Sequence, residues 1–310
     1  MIFISHKLHE VMDISDRVTV LRNGRVVGEV AKRDTSKQDL ARMMVGREVV
    51  TSWQKKPVQS GEPVLRLDGL AVNDDRGLPA VRSSSLAVRA GEIVGVAGVS
   101  GNGQRELAEA IAGMRRVAEG TVTVVGRDLT NHPPADIIGA GVSYIPEERM
   151  SMGCVRDFTV AENAILETHA QPPLARGIFM DFAAIDKHVG QLTREFEVKT
   201  PSLETPIKSL SGGNIQKLIM ARELARHPRF LLAAQPTRGV DIGATEYIHK
   251  RLLEQREQGM AILLISEDLD EVLALADRVA VMYEGQLVGL VPPTTPIEDL
   301  GLMMAGGHRT

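Results

Sequence analysis

The 310-residue chain is short of the features that mark secreted, membrane-spanning or nucleic-acid-binding proteins. Its one cysteine, Cys154, cannot form an internal disulfide. Aromatic residues make up 3%, and none lies between Trp53 and Tyr144. Its uncharged apolar runs fall well below the roughly 20 residues of a membrane span, so any membrane connection has to run through a partner. Basic residues are not in excess, with 36 Lys and Arg against 40 Asp and Glu. The net charge of -4 argues against a general binder of phosphate backbones, and nucleic acid is not expected as a partner. The opening MIFISHKLHEV lacks the basic start and long apolar core of a secretion signal, so the cytoplasmic side is expected. What is present is an ordinary globular composition, 43% hydrophobic and 25% charged, in a length that suits about two domains.

Self-comparison organises the chain. Ile2 to Glu29 (IFISHKLHEVMDISDRVTVLRNGRVVGE) matches Leu263 to Leu290 (LLISEDLDEVLALADRVAVMYEGQLVGL) at an offset of 261 residues. About 12 positions are identical without gaps, and Met43-Met44-Val45-Gly46 is echoed by Met303-Met304-Ala305-Gly306. So long a period excludes a solenoid and suits a duplicated domain. The expected organisation is the tail of one domain over 1–50, a polar linker over 51–63 that includes QKKPVQSGEP, and a complete second copy over 64–310. Met1 would stand at an interior strand, which leads to the expectation of a truncated reading frame with about 230 to 260 residues missing.

Within the second copy, Ile93–Ala97, Phe230–Ala234 and Ala261–Ile265 read as buried strands, and Gln104–Met114 and Asn214–Arg226 read as helices. The fold class is therefore α/β with a largely parallel sheet. Ile185, Val189, Leu192 and Phe196 recur at helical spacing, which predicts a mainly helical insert over about 146–206.

Two segments suggest chemistry. Gly98-Val99-Ser100-Gly101-Asn102-Gly103-Gln104-Arg105 follows a strand and opens a helix, the setting of a phosphate-binding loop. The glycines fit that motif, but Gln104 stands at the place of its lysine and Arg105 at the place of its Mg²⁺-binding hydroxyl. Taken alone, the string fits a phosphate loop and a plain strand-to-helix turn equally well. The second segment, Leu210-Ser211-Gly212-Gly213-Asn214-Ile215-Gln216-Lys217, is more specific. Its hydroxyl and two glycines precede a helix whose positive end can face an anion.

LSGGNIQK following GVSGNGQRE, with QPTRGVD beyond it, resembles the nucleotide-binding domain of an ABC transporter. GVAGVSGNGQREL, YIPEER and QPTRGVDIGA are most similar to the second half of the tandem ATP-binding subunits of simple-sugar and nucleoside importers. The resemblance spans about Val64 to Met304 for the second domain and Ile2 to Gly46 for the first. It implies an ABC-type P-loop fold with ATP and Mg²⁺ as cofactors, and no separate metal site is expected.

Carried over position by position, the family pattern also implies losses. The Mg²⁺-holding Asp is replaced by Ala234, the water-polarising Glu by Gln235, the switch His by Glu267, and the Q-loop Gln by Glu147. The adenine-stacking aromatic is missing from 54–143. Ser211, Gly212, Gly213 and Asn214 of the signature and Asp241 of the D-loop remain, as does His6, the switch histidine of the first copy.

The implied role is an energy-coupling subunit whose signature completes the ATP site of another nucleotide-binding domain while its own site is degenerate. Its partners would be membrane permease subunits at the cytoplasmic face of the cell membrane and, indirectly, an extracytoplasmic solute-binding protein. The alternatives are a non-catalytic dimerisation and docking module and a cytosolic ABC protein outside transport. Import rather than export rests on the resemblance alone. Glu147, Glu148 and Arg149 read either as a solvated charge run or as part of the groove for a permease coupling helix. Cys154, Met303 and Met304 read as packing residues.

Overall fold

A computed structural model describes residues 1–22, 24–48, 53 and 55–307. Its first unit comprises helix α1 (Leu8–Ile14), the antiparallel pair β1 (Arg17–Arg22) and β2 (Arg25–Ala31), and helix α2 (Lys37–Val45). Next come β3 (Pro63–Asn73), β4 (Pro79–Arg89), β5 (Ile93–Ala97), helix α3 (Gln104–Ile111), β6 (Val117–Val124), β7 (Arg127–Asp128), α4 (Pro134–Gly139) and β8 (Val142–Ile145). A π-helical turn at Arg149–Gly153 leads into α5 (Val160–Ala164), the hairpin β9 (Ala175–Arg176) and β10 (Phe179–Met180), and α6 (Phe182–Glu195). The chain then alternates through α7 (Gly212–Ala225), β11 (Phe230–Ala234), α8 (Ile242–Glu257), β12 (Ala261–Ile265) and α9 (Leu269–Leu275). It closes with β13 (Arg278–Tyr283), β14 (Gln286–Val291) and α10 (Ile297–Met304).

The central sheet runs β14-β13-β5-β12-β11-β8, parallel throughout except for the antiparallel β14. Every residue of β5, β11 and β12 is buried, as expected of strands covered on both faces, and these are the three strands expected from the apolar runs. Alternate residues enter two different cores. Ile93, Leu231, Leu264 and Ile145 face the helices α5 to α9, whereas Val94, Leu232, Leu263 and Phe230 face α3 and a second sheet. That second sheet, β4-β3-β6-β7, is antiparallel and was not expected. Its register shifts repeatedly along β3, where Gly69 adopts φ +59°, so the two-residue alternation that would reveal it is broken. The 146–206 segment contains α5 and α6 together with the β9–β10 hairpin and the π-helical turn.

The repeat persists in three dimensions. α1, β1 and β2 correspond to α9, β13 and β14, and both hairpins shift register at matching places, Val20/Leu21 and Val281/Met282. Both turn on a left-handed glycine, Gly24 at φ +73° and Gly285 at φ +81°. Gly28 and Gly289 each make room for a methionine of the following helix, Met43 and Met303. The copies differ in their surroundings. β13 pairs with β5, whereas β1 pairs only with β2 among the described residues. Leu21 is accordingly 63% exposed while its counterpart Met282 is fully buried.

The first unit rests on α8. The side chain of Val45 lies beside Gly243, and Arg47 pairs with Glu246 at 2.9 Å. Of the segment expected as a linker, Trp53 stacks edge-on against His249 and Lys55 donates to the Ala276 carbonyl. Arg256 donates to the Lys56 carbonyl at 2.9 Å. Residues 51, 52 and 54 of that segment, and 49 and 50 before it, lie outside the described residues.

Candidate functional site

The glycine-rich loop joins β5 to α3 and borders a cavity of about 1040 Å³. Gly101 and Gly103 take left-handed conformations at φ +87° and +100°, which side-chain-bearing residues reach only with strain. A Cβ at Gly98 would come within 2.7 Å of both the Met282 carbonyl and the Gln104 amide. The backbone thus has the form of a phosphate cradle, but its side chains are engaged elsewhere. Gln104 Nε2 donates to the Val99 carbonyl at 3.0 Å, folding across the loop. Asn102 Oδ1 accepts from Glu284 N at 2.9 Å and ties the loop to the β13–β14 turn. Arg105 Nε donates to Glu109 at 2.8 Å and Nη2 to Asp75 at 3.3 Å, so its charge is matched within its own helix and the neighbouring loop.

The remaining wall brings together the positions expected from the motifs. Ala234, Gln235, Glu147 and Glu267 all line the cavity with Gly101–Arg105. Ala234 is buried and apolar. Gln235, at φ +50°, donates its N–H to Ile265 O at 2.7 Å and accepts at Oε1 from the Glu267 N–H at 3.3 Å. Glu147 is paired with Arg238, yet burial holds its carboxyl above the usual carboxylate range. Asp74, Glu106, Glu109, Glu147, Glu148, Glu267 and Glu284 outnumber Arg76, Arg82 and Arg105 in the lining. A triphosphate would meet an excess of negative charge there.

Mg²⁺ with ATP asks for a lysine, a hydroxyl and carboxylates placed to hold the ion and orient water. The described lining contains no lysine, and Gln104, Arg105, Ala234 and Gln235, at the places the family resemblance assigns to those groups, supply neither an ammonium nor a carboxylate. The residues present do not fit that group.

Ser211, Gly212, Gly213 and Asn214 lie outside that cavity's lining, at the start of α7. Ser211 is exposed at the helix N-cap, and its Oγ accepts from Asn214 Nδ2 at 2.9 Å. The amides of the first helical turn have no partner within the helix and, with the helix dipole, suit an anion. A Cβ on Gly213 would sit 3.0 Å from the Ala244 Cβ, so glycine lets α7 approach α8 closely. Asp241 caps α8 by accepting from Ala244 N at 2.9 Å. The start of α7 and the 238–244 loop thus form one continuous partly exposed surface. His6 is exposed and is not part of the cavity lining.

Sequence reasoning missed a buried charge cluster behind this surface. Glu223 of α7 is 1% exposed, pairs with Arg222 and Arg226, and accepts from Tyr144 N of β8 at 3.3 Å. Arg226 Nε lies 2.7 Å from Glu167, whose carboxyl burial nonetheless pushes up to about 7 with the help of Glu223. The spacing of Arg222 and Arg226 on α7 was the available signal. This cluster borders a second cavity of about 420 Å³ between α4, α6, α7 and the loop after α5. Among the described residues, no helix is long and apolar enough to cross a membrane.

Comparison with known proteins agrees with this architecture. The ABC transporter family model matches residues 81–238. A glucose import ATP-binding protein of Haloferax volcanii is 48% identical over 99% of this chain and 56% of its own length. A nucleoside import ATP-binding protein of Lactococcus lactis is 45% identical over 99% of the chain and 61% of its own length. The chain therefore spans rather more than half the length of these relatives. Among solved structures, a nucleotide-free ATP-binding cassette superposes with a TM-score of 0.65 at 23% identity, over 77% of this chain and 95% of that one. A dimeric bacterial cassette superposes with a TM-score of 0.64 at 20% identity, over 75% of this chain and 100% of that one. By its α/β cassette fold and by the family match across its centre, the chain belongs to the ABC transporter family.

Proposed function

We propose that the chain is part of the energy-coupling ATP-binding subunit of an importer for nucleosides or simple sugars. In this reading, Ser211–Asn214 and Asp241 complete an ATP site built by another nucleotide-binding domain, and the chain's own site does not hydrolyse ATP. The observation that carries it is the contrast between two surfaces. The start of α7 keeps an exposed hydroxyl and first-turn amides without partners inside the helix, while the glycine-rich loop is closed by Gln104 and walled by carboxylates. The names of the relatives supply the substrate class.

The paired units support a further part of the reading. Residues 1–50 are the C-terminal part of a first nucleotide-binding domain, 51–63 a linker, and 64–310 the degenerate second domain. His6 then serves as the switch histidine of the site that the signature completes, with ATP and Mg²⁺ held by the partner's phosphate loop and carboxylates. In that site the chain's own part is to orient: Ser211 Oγ and the α7 amides donate to phosphate oxygens, and Asp241 fixes the adjoining loop. Permease subunits dock at the cytoplasmic membrane face, for which the 420 Å³ groove between α4, α6, α7 and the loop after α5 offers a receptor surface. A solute-binding protein takes part only through the permease. Alone, the chain is a non-catalytic docking module, a reading favoured by the self-satisfied glycine-rich loop.

The test mixes the chain with a separately produced domain that carries a lysine-containing phosphate loop and its own carboxylates. ATP turnover should appear only in the mixture and vanish with Ser211→Arg. Turnover indifferent to that substitution would end the proposal.

A further inference from the structure

Arg149 opens the π-helical turn after β8 and does not point freely into water. Its Nη1 donates to the Gly212 carbonyl at 3.3 Å and its Nη2 to the Arg238 carbonyl. Gly212 is the first residue of α7, and Arg238 precedes Gly239 in the loop that ends at Asp241. One planar guanidinium therefore bridges two loops that are 26 residues apart in sequence (Gly212 to Arg238) and that together make the exposed surface described above.

The surroundings are shaped around this group. A Cβ on Gly239, at φ +63°, would stand 3.1 Å from Arg149 Nη2, and one on Gly212 would stand 3.6 Å from Nη1. Two residues earlier in the same loop, Glu147 grips the side chain of Arg238, so the 147–149 segment holds that residue by both its side chain and its carbonyl. The guanidinium is half-buried, and burial followed by the nearby Arg238 charge pulls its pKa down. A charge kept in such a place needs its hydrogen bonds, because an unsatisfied buried donor is costly. For Glu147 and Arg149 the reading as a solvated charge run fails on these contacts, whereas Glu148 is exposed, with an oxygen 3.7 Å from Arg238.

We propose that Arg149 is a positioning residue that fixes the start of α7 relative to the Arg238–Asp241 loop, the two pieces this chain contributes to a partner's nucleotide site. The proposal rests on the function proposed above and adds to it a reason for the charged loop after β8.

The test has two parts, on the 310-residue chain and on its mixture with a complete partner domain. Amide exchange is followed at Ile215, Arg238 and Val240, whose N–H groups donate to Ser211, Gln235 and Thr237 carbonyls. Arg149→Met, which keeps the stem but not the donors, should raise exchange there about tenfold or more while amides of β11 and β12 stay protected. Arg149→Lys, able to reach one carbonyl, should fall between, and Arg156→Met on the exposed turn nearby should do nothing. In the mixture, Arg149→Met should lower kcat and leave the KM for ATP near its wild-type value. Unchanged exchange in Arg149→Met would overturn the clamp itself. Raised exchange with unchanged kcat would leave the clamp standing and refute the contribution of this surface to a partner's site.

Discussion

Replacing Glu167 by Gln should flatten the dependence of stability on pH between about 5 and 8. Glu167 sits at the edge of the buried cluster of Arg222, Glu223 and Arg226, with His188 lining the same groove. Burial raises its carboxyl to about 7, and the like charge of Glu223 adds to this against the pull of both arginines. In the unfolded chain a Glu titrates near 4.3. The folded state therefore holds the proton more tightly, and the stability it brings is complete below the unfolded pKa and lost as pH rises through about 7. At about 1.36 kcal/mol for each pH unit of difference, the full effect is on the order of 4 kcal/mol, an upper figure for a group that still meets solvent on one side. Urea unfolding at a series of pH values measures it directly. Wild type should lose stability relative to Glu167→Gln as pH rises from 5 to 8, and the difference should level off above 8. A constant difference across that range would show that Glu167 is ionised throughout and that the cluster stabilises its charge.

Other consequences concern the glycine-rich loop and the strapped linker. Gln104→Lys supplies a charge-assisted phosphate contact and should bring ATP binding, absent in the wild type at millimolar ATP, into the range calorimetry detects, without phosphate release, because Ala234 and Gln235 still offer no carboxylate. Phosphate release by this single variant would mean that other groups supply the missing functions. Arg256 holds Asp277 through two bonds of 2.7 and 2.8 Å while also reaching the Lys56 carbonyl. Arg256→Met should cost on the order of 1 to 3 kcal/mol by urea unfolding and free the 55–59 segment for proteolysis, since it leaves the partly buried Asp277 carboxylate with the Ile93 N–H and the nearby Lys55 charge.

The parts of the fold legible in the sequence are those where one requirement dominates. IVGVA, FLLAA and AILLI are apolar along their whole length because both faces of a parallel strand are covered, and their ends match β5, β11 and β12. The repeat is legible because both copies need a left-handed turn glycine and a glycine facing methionine. The antiparallel sheet escaped because bulges at Leu67/Leu70 and Leu70/Val72 scramble the alternation of β3. Gln104–Met114 was extended past the helix, which ends at Ile111 where Gly113 turns left-handed. At the site, residue types placed Gln104 and Arg105 in the glycine-rich loop, but not where their side chains turn. Gln104 folds back on Val99 five residues away by a side-chain choice that residue type does not dictate, and Arg149 reaches Gly212 through long-range packing that no local pattern encodes.

The central claim is that this chain's own loop does not support hydrolysis and that its α7 surface serves another domain's site. Equilibrium binding of Mg·ATP to the purified chain, with phosphate release followed in the same sample, tests it most directly. The account predicts no binding at millimolar ATP and no release. Turnover by the chain alone, lost on Ser211→Arg, would show that copies of this chain build a working site without lysine or the two carboxylates, and would contradict it.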